Sequence, residues 1–308
     1  MWILFVLIYG VLKGVRDVSK KLAVSKSGVT EVLFVYTLIA FLFTTPEIPN
    51  AGGVPTKEML LIAFKSFIIF VAFLCSFHAI KKMPVSLYGV LDLSRMLFAF
   101  FIGIFWLKET PGILQIVGML LVSAGLLLLR FKPGFLKTSE EAPHEASKEP
   151  SAAENSTGKG ILIGGERVAG IVLIMAFVST FLNAVSGNLD KYLMSTGNVT
   201  SGQLQFWYML FMLIYYGIYV LVTKTKITKS VWKNGYVWLI SILFFVADRC
   251  LFIANGYPES KVTVMTLLKQ ICVVVTILGG RLIFKEKNIG YKLFCAGVVV
   301  AGIVIAAI

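Results

Sequence analysis

Ten apolar runs, each about 20 residues long, follow one another along this chain of 308 residues. A helix needs about 20 mostly apolar residues to cross a bilayer, and an unpaired backbone polar group costs several kcal/mol in hydrocarbon. The runs do not alternate in polarity, which argues against a membrane β-barrel. We therefore expect an all-α membrane protein whose spanning helices lie at about 2–22, 30–48, 58–80, 84–107, 112–130, 168–192, 201–223, 236–256, 261–283 and 289–308.

The composition agrees with lipid as the surrounding solvent. Hydrophobic residues make up 57% of the chain and charged residues only 15%, well below the share usual in soluble domains. The formal net charge of +13 does not indicate nucleic-acid binding, because lysine and arginine are spread over loops and helix ends. Such a spread is typical of membrane proteins with basic cytoplasmic loops.

Cysteine and histidine usage indicates no metal site. The four cysteines all fall in apolar runs, no Cys-x-x-Cys pair occurs, and the chain has only two histidines. We interpret the cysteines as small packing residues rather than as a disulfide framework. The sequence has no G-x-x-x-x-G-K-[ST] loop, so we expect no bound nucleotide and no other cofactor.

A polar segment rich in Ser, Glu, Lys and Pro divides the chain into two halves of five predicted helices each. This segment, 131–167, is expected to be a flexible linker between a first unit, 1–130, and a second unit, 168–308. The halves share residue matches in the same order at offsets of 170, 175 and 177, which indicates duplication. Because five is odd, the second copy must cross the membrane in the opposite direction. Inverted repeats of this kind are typical of secondary transporters, with the substrate site between the halves.

The last two helices of each half carry a family resemblance. A Lys-Glu pair follows the fourth helix of each half, ending at Glu109 and at Glu286, and glycines are spaced down each fifth helix. With these features, the segments 84–129 and 261–305 resemble the closing part of an EamA-type repeat of the drug/metabolite transporter superfamily. The resemblance covers nearly the whole chain outside the linker, and it implies a ten-helix transporter of two five-helix repeats.

Ionisable residues inside the predicted spans are costly and are therefore candidates for function. Those of the first helix are spaced so that they share one helical stripe. The repeat alignment places Lys269 of the ninth span at the position of Asp92 in the fourth. The candidate substrate-binding residues are Lys13, Arg16, Asp17, Asp92, Arg95, Asp248, Arg249, Lys269 and Gln270.

Two interpretations of these charges stay open. The acids and bases could neutralise one another as buried pairs. Alternatively, because at least five cations face the three carboxylates Asp17, Asp92 and Asp248, an anionic ligand could complete the balance. Arginine suits bidentate capture of carboxylate or phosphate, and lysine acts as a point charge.

Other residues of the spans have a plainer interpretation. The basic residues Lys20, Lys65 and His78 are expected to lie close enough to an interface to snorkel. An aromatic group in the seventh span is expected to form an interface belt or to pack, and it consists of Trp207, Tyr208, Tyr215, Tyr216 and Tyr219. Glycines expected at helix contacts are Gly10, Gly14, Gly118, Gly125, Gly297 and Gly302.

The favoured function is a secondary transporter of a small organic metabolite, anionic or zwitterionic, that works by alternating access and is not an enzyme. When loops are assigned alternately to two sides, lysine and arginine are more frequent on the side of the linker. Because basic loops are usually cytoplasmic, this bias places the linker in the cytoplasm and both termini outside a cytoplasmic (inner) membrane. The expected partners are a small-molecule substrate and the lipid bilayer, and the oligomeric state is not indicated. The alternatives are an exporter of apolar or cationic compounds that uses the intramembrane carboxylates, a lipid-modifying enzyme, and a non-transporting membrane subunit.

Overall fold

The computed structural model describes residues 1–95, 97–98, 112–130, 160–163, 166–195, 197–257, 260, 265, 268–286 and 288–307. The helices of the first half are α1 Trp2–Lys26, α2 Val29–Leu42, α3 Thr56–Lys82, α4 Val85–Asp92 and α5 Ile113–Arg130, with a 3-10 helix, Thr45–Asn50, after α2. The helices of the second half are α6 Gly170–Ser195, α7 Ser201–Val222, α8 Lys229–Lys233, α9 Gly235–Asn255, α10 Ile271–Phe284 and α11 Ile289–Ala307.

The outer surface of the helix bundle is apolar. Four of the described helices, α3, α6, α7 and α9, are long and apolar enough to cross a membrane, and shorter apolar helices accompany them. Large side chains such as Leu60, Leu221 and Leu282 are 67–79% exposed. Contiguous apolar surface of this kind marks a membrane or protein contact rather than a water-facing surface. The prediction of an all-α membrane protein is confirmed.

Contacts between loops show the direction of the helices. The side-chain amide of Asn234, just before α9, donates to the carbonyl of Ala23 near the end of α1 (3.1 Å). Lys191, near the end of α6, donates to the carbonyl of Asn255 at the end of α9 (3.5 Å). α1 therefore ends where α9 begins, whereas α6 ends where α9 ends. α1 and α6 run in opposite directions, as an inverted duplication requires.

Corresponding helices of the two halves make corresponding contacts. α1 packs on α9 as α6 packs on α3, and α1 contacts α10 as α6 contacts α4. Two further pairs, α2 with α7 and α5 with α11, join corresponding helices of the two halves. The space enclosed by α1, α3, α6 and α9 therefore lies between the halves.

Glycines allow α1 to lie close against α10. A Cβ atom added at Gly14 would lie 2.5 Å from Val275 Cβ and 2.8 Å from Cys272 O. One added at Gly10 would overlap Ile271 Cγ2. Contacts this short cannot be kept, so larger residues would force the helices apart. The prediction that Gly10 and Gly14 mark a close helix contact is confirmed.

Glycines play the same part between α5 and α11. A Cβ added at Gly125 would lie 2.6 Å from Val299 Cγ2, and one added at Gly302 would lie 2.7 Å from Gly118 O. The packing prediction is wrong for Gly297, because a Cβ there would meet no atom of the described residues within 4 Å.

The fourth and ninth predicted spans are each interrupted in the middle. α4 ends at Asp92, and the N–H groups of Leu93 and Ser94 donate to carbonyls three residues earlier (3.1 and 2.9 Å). This is the tighter pattern of a 3-10 turn. α10 begins at Ile271, after a turn at Gln270. The prediction of two continuous helices is wrong, and the interruptions fall at matching positions in the two halves.

The loop between α10 and α11 holds the start of α4. Glu286 accepts hydrogen bonds from the N–H groups of Val85 (2.7 Å) and Ser86 (3.1 Å), and also from the Ser86 hydroxyl. Lys292, which is wholly buried, donates to Ser86 Oγ (2.8 Å) and lies 3.6 Å from Glu286 Oε2. A carboxylate suits the unpaired N–H groups at a helix start. Glu286 of the Lys-Glu motif thus ties the second half to the first, while its counterpart Glu109 lies outside the described residues.

The segment predicted as a flexible linker, 131–167, falls mainly outside the described residues. Near its end, strands β1, Gly160–Ile163, and β2, Glu166–Ala169, pair antiparallel as a two-stranded sheet. Two glycines separate these strands in the sequence, a spacing typical of a two-residue hairpin. These strands are an ordered element that the linker interpretation missed, and the boundaries of the two units stay a prediction.

Candidate functional site

A cavity of about 80 Å³ lies between the two halves. A buried water needs about 10–15 Å³ of such space, so the cavity has room for several waters or a small polar ligand. Its charged lining consists of Lys13, Arg16, Lys65, Arg95, Asp190, Asp248 and Lys269. Its uncharged lining includes Tyr9, Ile69, Phe73, Asn183, Ser186, Tyr208 and Phe252.

The stripe of charges on α1 forms a buried ion-pair network. Lys13 donates to Asp92 (2.7 Å) and to Asp17 (3.2 Å), and Lys20 donates to the other oxygen of Asp17 (2.8 Å). Arg95 donates to the same Asp92 oxygen as Lys13. Each of the two carboxylates is therefore shared by two cations. Asp17 and Asp92 do not line the cavity, and they hold Lys13 and Arg95 where these residues face it.

Arg16 reaches across from α1 to α9. Its guanidinium lies 3.5 Å from Asp248 Oδ1 and 5.1 Å from the centroid of the Phe244 ring. Its Nε atom is buried and has no hydrogen-bond partner among the described residues. Arg16 therefore keeps donor capacity beside the cavity after its ion pair is counted.

Arg249 and Gln270 lie outside the cavity lining. Arg249 pairs with Glu47 of the 3-10 helix and donates to Gln205 (3.4 Å). Asp248 lines the cavity, whereas Arg249, the next residue of the helix, is absent from the lining and lies against Glu47 instead. Gln270 is buried at the turn before α10. Neither placement supports the prediction that these two residues contact a ligand in this cavity.

Lys65 and Lys20 do not snorkel to an interface, and that prediction is wrong. Lys65 is 1% exposed, and its Nζ atom lies 2.7 Å from Asp190 Oδ1 and 3.7 Å from the ring centroid of Tyr208. Lys20 is 3% exposed and paired with Asp17. Sequence reasoning missed Asp190, although a signal was present, since it is the one acidic residue in the α6 segment.

The aromatic residues of α7 divide into one cavity residue and a packing group. Tyr208 lines the cavity. Trp207 donates its indole N–H to the carbonyl of Ala51 (2.9 Å). The ring of Phe70 has three neighbours at centroid distances of 4.9–6.0 Å, and these are Tyr215, Tyr216 and Tyr219. Packing is therefore confirmed for the group, with Tyr208 as the exception.

Lys269 differs from the other cations of the cavity. It lies one residue before the turn at Gln270, and its Nζ atom is 5.8 Å from the ring centroid of Tyr9. Within the part of the chain that the structure describes, no carboxylate lies within 4 Å of it. Lys269 is therefore a cavity cation that forms no ion pair with a described carboxylate.

The charge balance of the cavity and its supporting network is positive. Six described cations belong to it, namely Lys13, Arg16, Lys20, Lys65, Arg95 and Lys269. Four described carboxylates oppose them, namely Asp17, Asp92, Asp190 and Asp248. The formal charge of these residues is therefore +2.

Comparisons with known proteins give the fold and the family. A search of curated proteins gave no match. In all, 27 chains of solved structures are similar. One of them, titled only "Crystal structure of protein", has a TM-score of 0.60 and 14% sequence identity, and the alignment covers 98% of this chain and 97% of that one. At this identity the likeness shows the fold alone.

The family comparison bears on the first half. Residues 1–131 match the EamA-like transporter family, of the drug/metabolite transporter superfamily. This match indicates a multi-pass membrane transporter of small compounds, and at this coarse level it favours a transporter over an enzyme. The resemblance drawn from the sequence is thus confirmed over residues 1–131, which match the model of the EamA-like transporter family.

Proposed function

We propose that the chain is a secondary transporter that carries a small organic anion, with the cavity between the halves as its binding site. Lys269 is the observation that carries this proposal. It lines the cavity, and no described carboxylate lies within 4 Å of it. A charge that is largely removed from solvent and has no ion-pair partner is costly. A bound anion would supply the missing counter-charge.

Two guanidinium groups support the same ligand chemistry. The Nε atoms of Arg16 and Arg95 are buried and lack hydrogen-bond partners among the described residues. The Arg95 side chain keeps 21% of its surface exposed, at the cavity. Guanidinium groups bind carboxylate and phosphate through paired N–H donors. We infer that Arg16, Arg95 and Lys269 hold the anion, and that Asp17 and Asp92 orient the basic residues.

The contacts of the cavity carboxylates disfavour an exporter of cations. Asp190 lies 2.7 Å from Lys65, and Asp248 lies 3.5 Å from Arg16. Both acids are therefore already neutralised by cations of the chain. A cationic substrate would have to displace one of these internal partners before it could bind.

Alternating access follows from the proposed site and the inverted halves. The cavity is lined by α1 and α3 of the first half and by α6, α7 and α9 of the second, so rocking one half against the other would expose it to either side. The bias of lysine and arginine toward the linker side supports a cytoplasmic linker in a cytoplasmic (inner) membrane.

A thermal-shift panel on detergent-purified protein tests the ligand class, because a ligand that binds only the folded state stabilises it. The panel compares acetate, malonate and glycerol 3-phosphate with n-propylammonium and glucose at matched ionic strength. We expect at least one anion to raise the unfolding midpoint and the ammonium compound to leave it unchanged. Stabilisation by n-propylammonium alone would replace the anion proposal with the cation alternative.

A further inference from the structure

The ammonium group of Lys65 lies in a cage of one carboxylate and two aromatic rings. Its Nζ atom is 2.7 Å from Asp190 Oδ1, 3.7 Å from the Tyr208 ring centroid and 4.9 Å from the Phe252 ring centroid. All four residues line the cavity. The cage is built by three helices, with Asp190 on α6, Tyr208 on α7 and Phe252 on α9, and Lys65 enters it from a fourth helix, α3.

A carboxylate beside aromatic faces is the chemistry that recognises an organic ammonium ion. The negative face of an aromatic ring attracts a cation within about 6 Å of its centroid. A carboxylate adds a charge-assisted hydrogen bond. In this cavity the ammonium that fills such a place is part of the protein.

We propose that Lys65 is a specificity-determining residue, which acts as a tethered ammonium and keeps cationic solutes out of a cavity that would otherwise accept them. Asp190, Tyr208 and Phe252 form the cation subsite that it fills. The importance of this exclusion for transport rests on the proposed function, but the existence of the subsite does not. The same fold would then admit either anions or cations according to the residue at position 65.

The test is the Lys65→Met variant. The side chain of methionine matches the flexible apolar stem of lysine in length and lacks only the terminal nitrogen, so the substitution removes the ammonium and leaves most of the packing. n-Propylammonium chloride is the probe, n-propanol is its uncharged match, and sodium chloride controls for ionic strength. We expect n-propylammonium to raise the unfolding midpoint of Lys65→Met in a dose-dependent way and to bind at least about a hundredfold more tightly than to the wild type.

Lys20 provides a matched control. It is also a buried lysine, 2.8 Å from Asp17 Oδ1 and 5.3 and 5.2 Å from the ring centroids of Phe73 and Phe77. It does not line the cavity. Lys20→Met therefore vacates a similar cage that a solute in the cavity cannot reach, and n-propylammonium should not stabilise this variant.

A second variant shows whether the carboxylate is the partner. The double variant Lys65→Met with Asp190→Asn should lose the response to n-propylammonium. If Lys65→Met aggregates because Asp190 is left unpaired, n-propylammonium added during purification should restore a monodisperse protein. A Lys65→Met protein that neither gains stability from the probe nor is rescued by it would overturn the proposal, as would an equal response in Lys20→Met.

The outcome is separable from the proposed function. A wild type that binds no panel anion, together with a Lys65→Met variant that binds n-propylammonium, would sink the anion proposal and keep the cage. A wild type that already binds n-propylammonium would refute the role of Lys65 as an excluding residue.

Discussion

Replacing Lys269 by methionine should separate ligand binding from folding more cleanly than any other substitution in the cavity. Most of the buried cations that the structure describes neutralise an acid, so removing a cation that is the one partner of its acid leaves a charge behind. Lys269 has no described carboxylate within 4 Å, and its Nζ atom lies 5.8 Å from the ring centroid of Tyr9. Lys269→Met therefore strands no acid among the described residues.

The magnitudes follow from these contacts. Removing one partner of a buried ion pair costs about 3–5 kcal/mol, and this is the expected cost of Lys65→Met, because Asp190 has no ion-pair partner among the described residues other than Lys65 (2.7 Å). Lys269→Met should leave stability unchanged or raise it. A lost charge-assisted hydrogen bond to the ligand costs about 1.5–3 kcal/mol, or roughly a tenfold to hundredfold loss of anion affinity.

The assay is calorimetric titration of the tightest-binding panel anion, with chemical unfolding of the unliganded variants measured beside it. Arg249→Gln is the control for a lost cation outside the cavity. The side chains of Arg249 and Glu47 are 30% and 26% exposed, so their pair should contribute no more than about 1 kcal/mol. This control should bind the anion within about twofold of the wild type. Wild-type affinity in Lys269→Met, or destabilisation as large as that of Lys65→Met, would show that Lys269 does not bind the anion as proposed.

Three further predictions concern the frame around the cavity. Glu286→Ala should destabilise the protein by about 3–5 kcal/mol, because buried Lys292 loses its acidic partner. Adding Lys292→Met should recover part of that loss in unfolding titrations, and no recovery would contradict the pairing of Glu286 with Lys292. Gly14→Ala should lower the free energy of unfolding by about 1–3 kcal/mol because it overpacks the contact with α10, whereas Gly297→Ala should leave it unchanged or raise it. Equal changes in the two variants would refute the close contact of α1 with α10. A cysteine placed within 140–155, on a background without native cysteines, should resist an impermeant thiol reagent in intact cells, and rapid labelling there would reverse the proposed orientation.

Most of the fold could be predicted from the length of the apolar runs and from the spacing of residues that are close together in the sequence. The runs of about 20 apolar residues identify the spanning helices because lipid imposes that length. The spacing of Lys13, Arg16 and Asp17 places them on one stripe, and the structure buries all three. Gly10 and Gly14 are four residues apart, and both lie against α10. These features depend on residues close together in the sequence.

Features that depend on the other half of the chain were not predictable. Lys65 looked like a residue near a helix end, because its partner Asp190 lies 125 positions away and is brought near only by packing of α3 on α6. The turn at Leu93 and Ser94 contains neither proline nor glycine. Ser94 instead contacts the Thr180 hydroxyl of α6 (3.2 Å). Tertiary contacts of this kind leave no local signal for helix interruption.

The most direct measurement of the central claim is exchange transport in proteoliposomes that contain the purified protein. Vesicles are preloaded with the unlabelled panel anion that binds most tightly, and entry of the labelled anion is followed. We expect saturable uptake by the wild type, a tenfold or greater loss in Lys269→Met and near-normal uptake in Arg249→Gln. Uptake no faster than in protein-free vesicles, or equal uptake by the wild type and Lys269→Met, would contradict the claim.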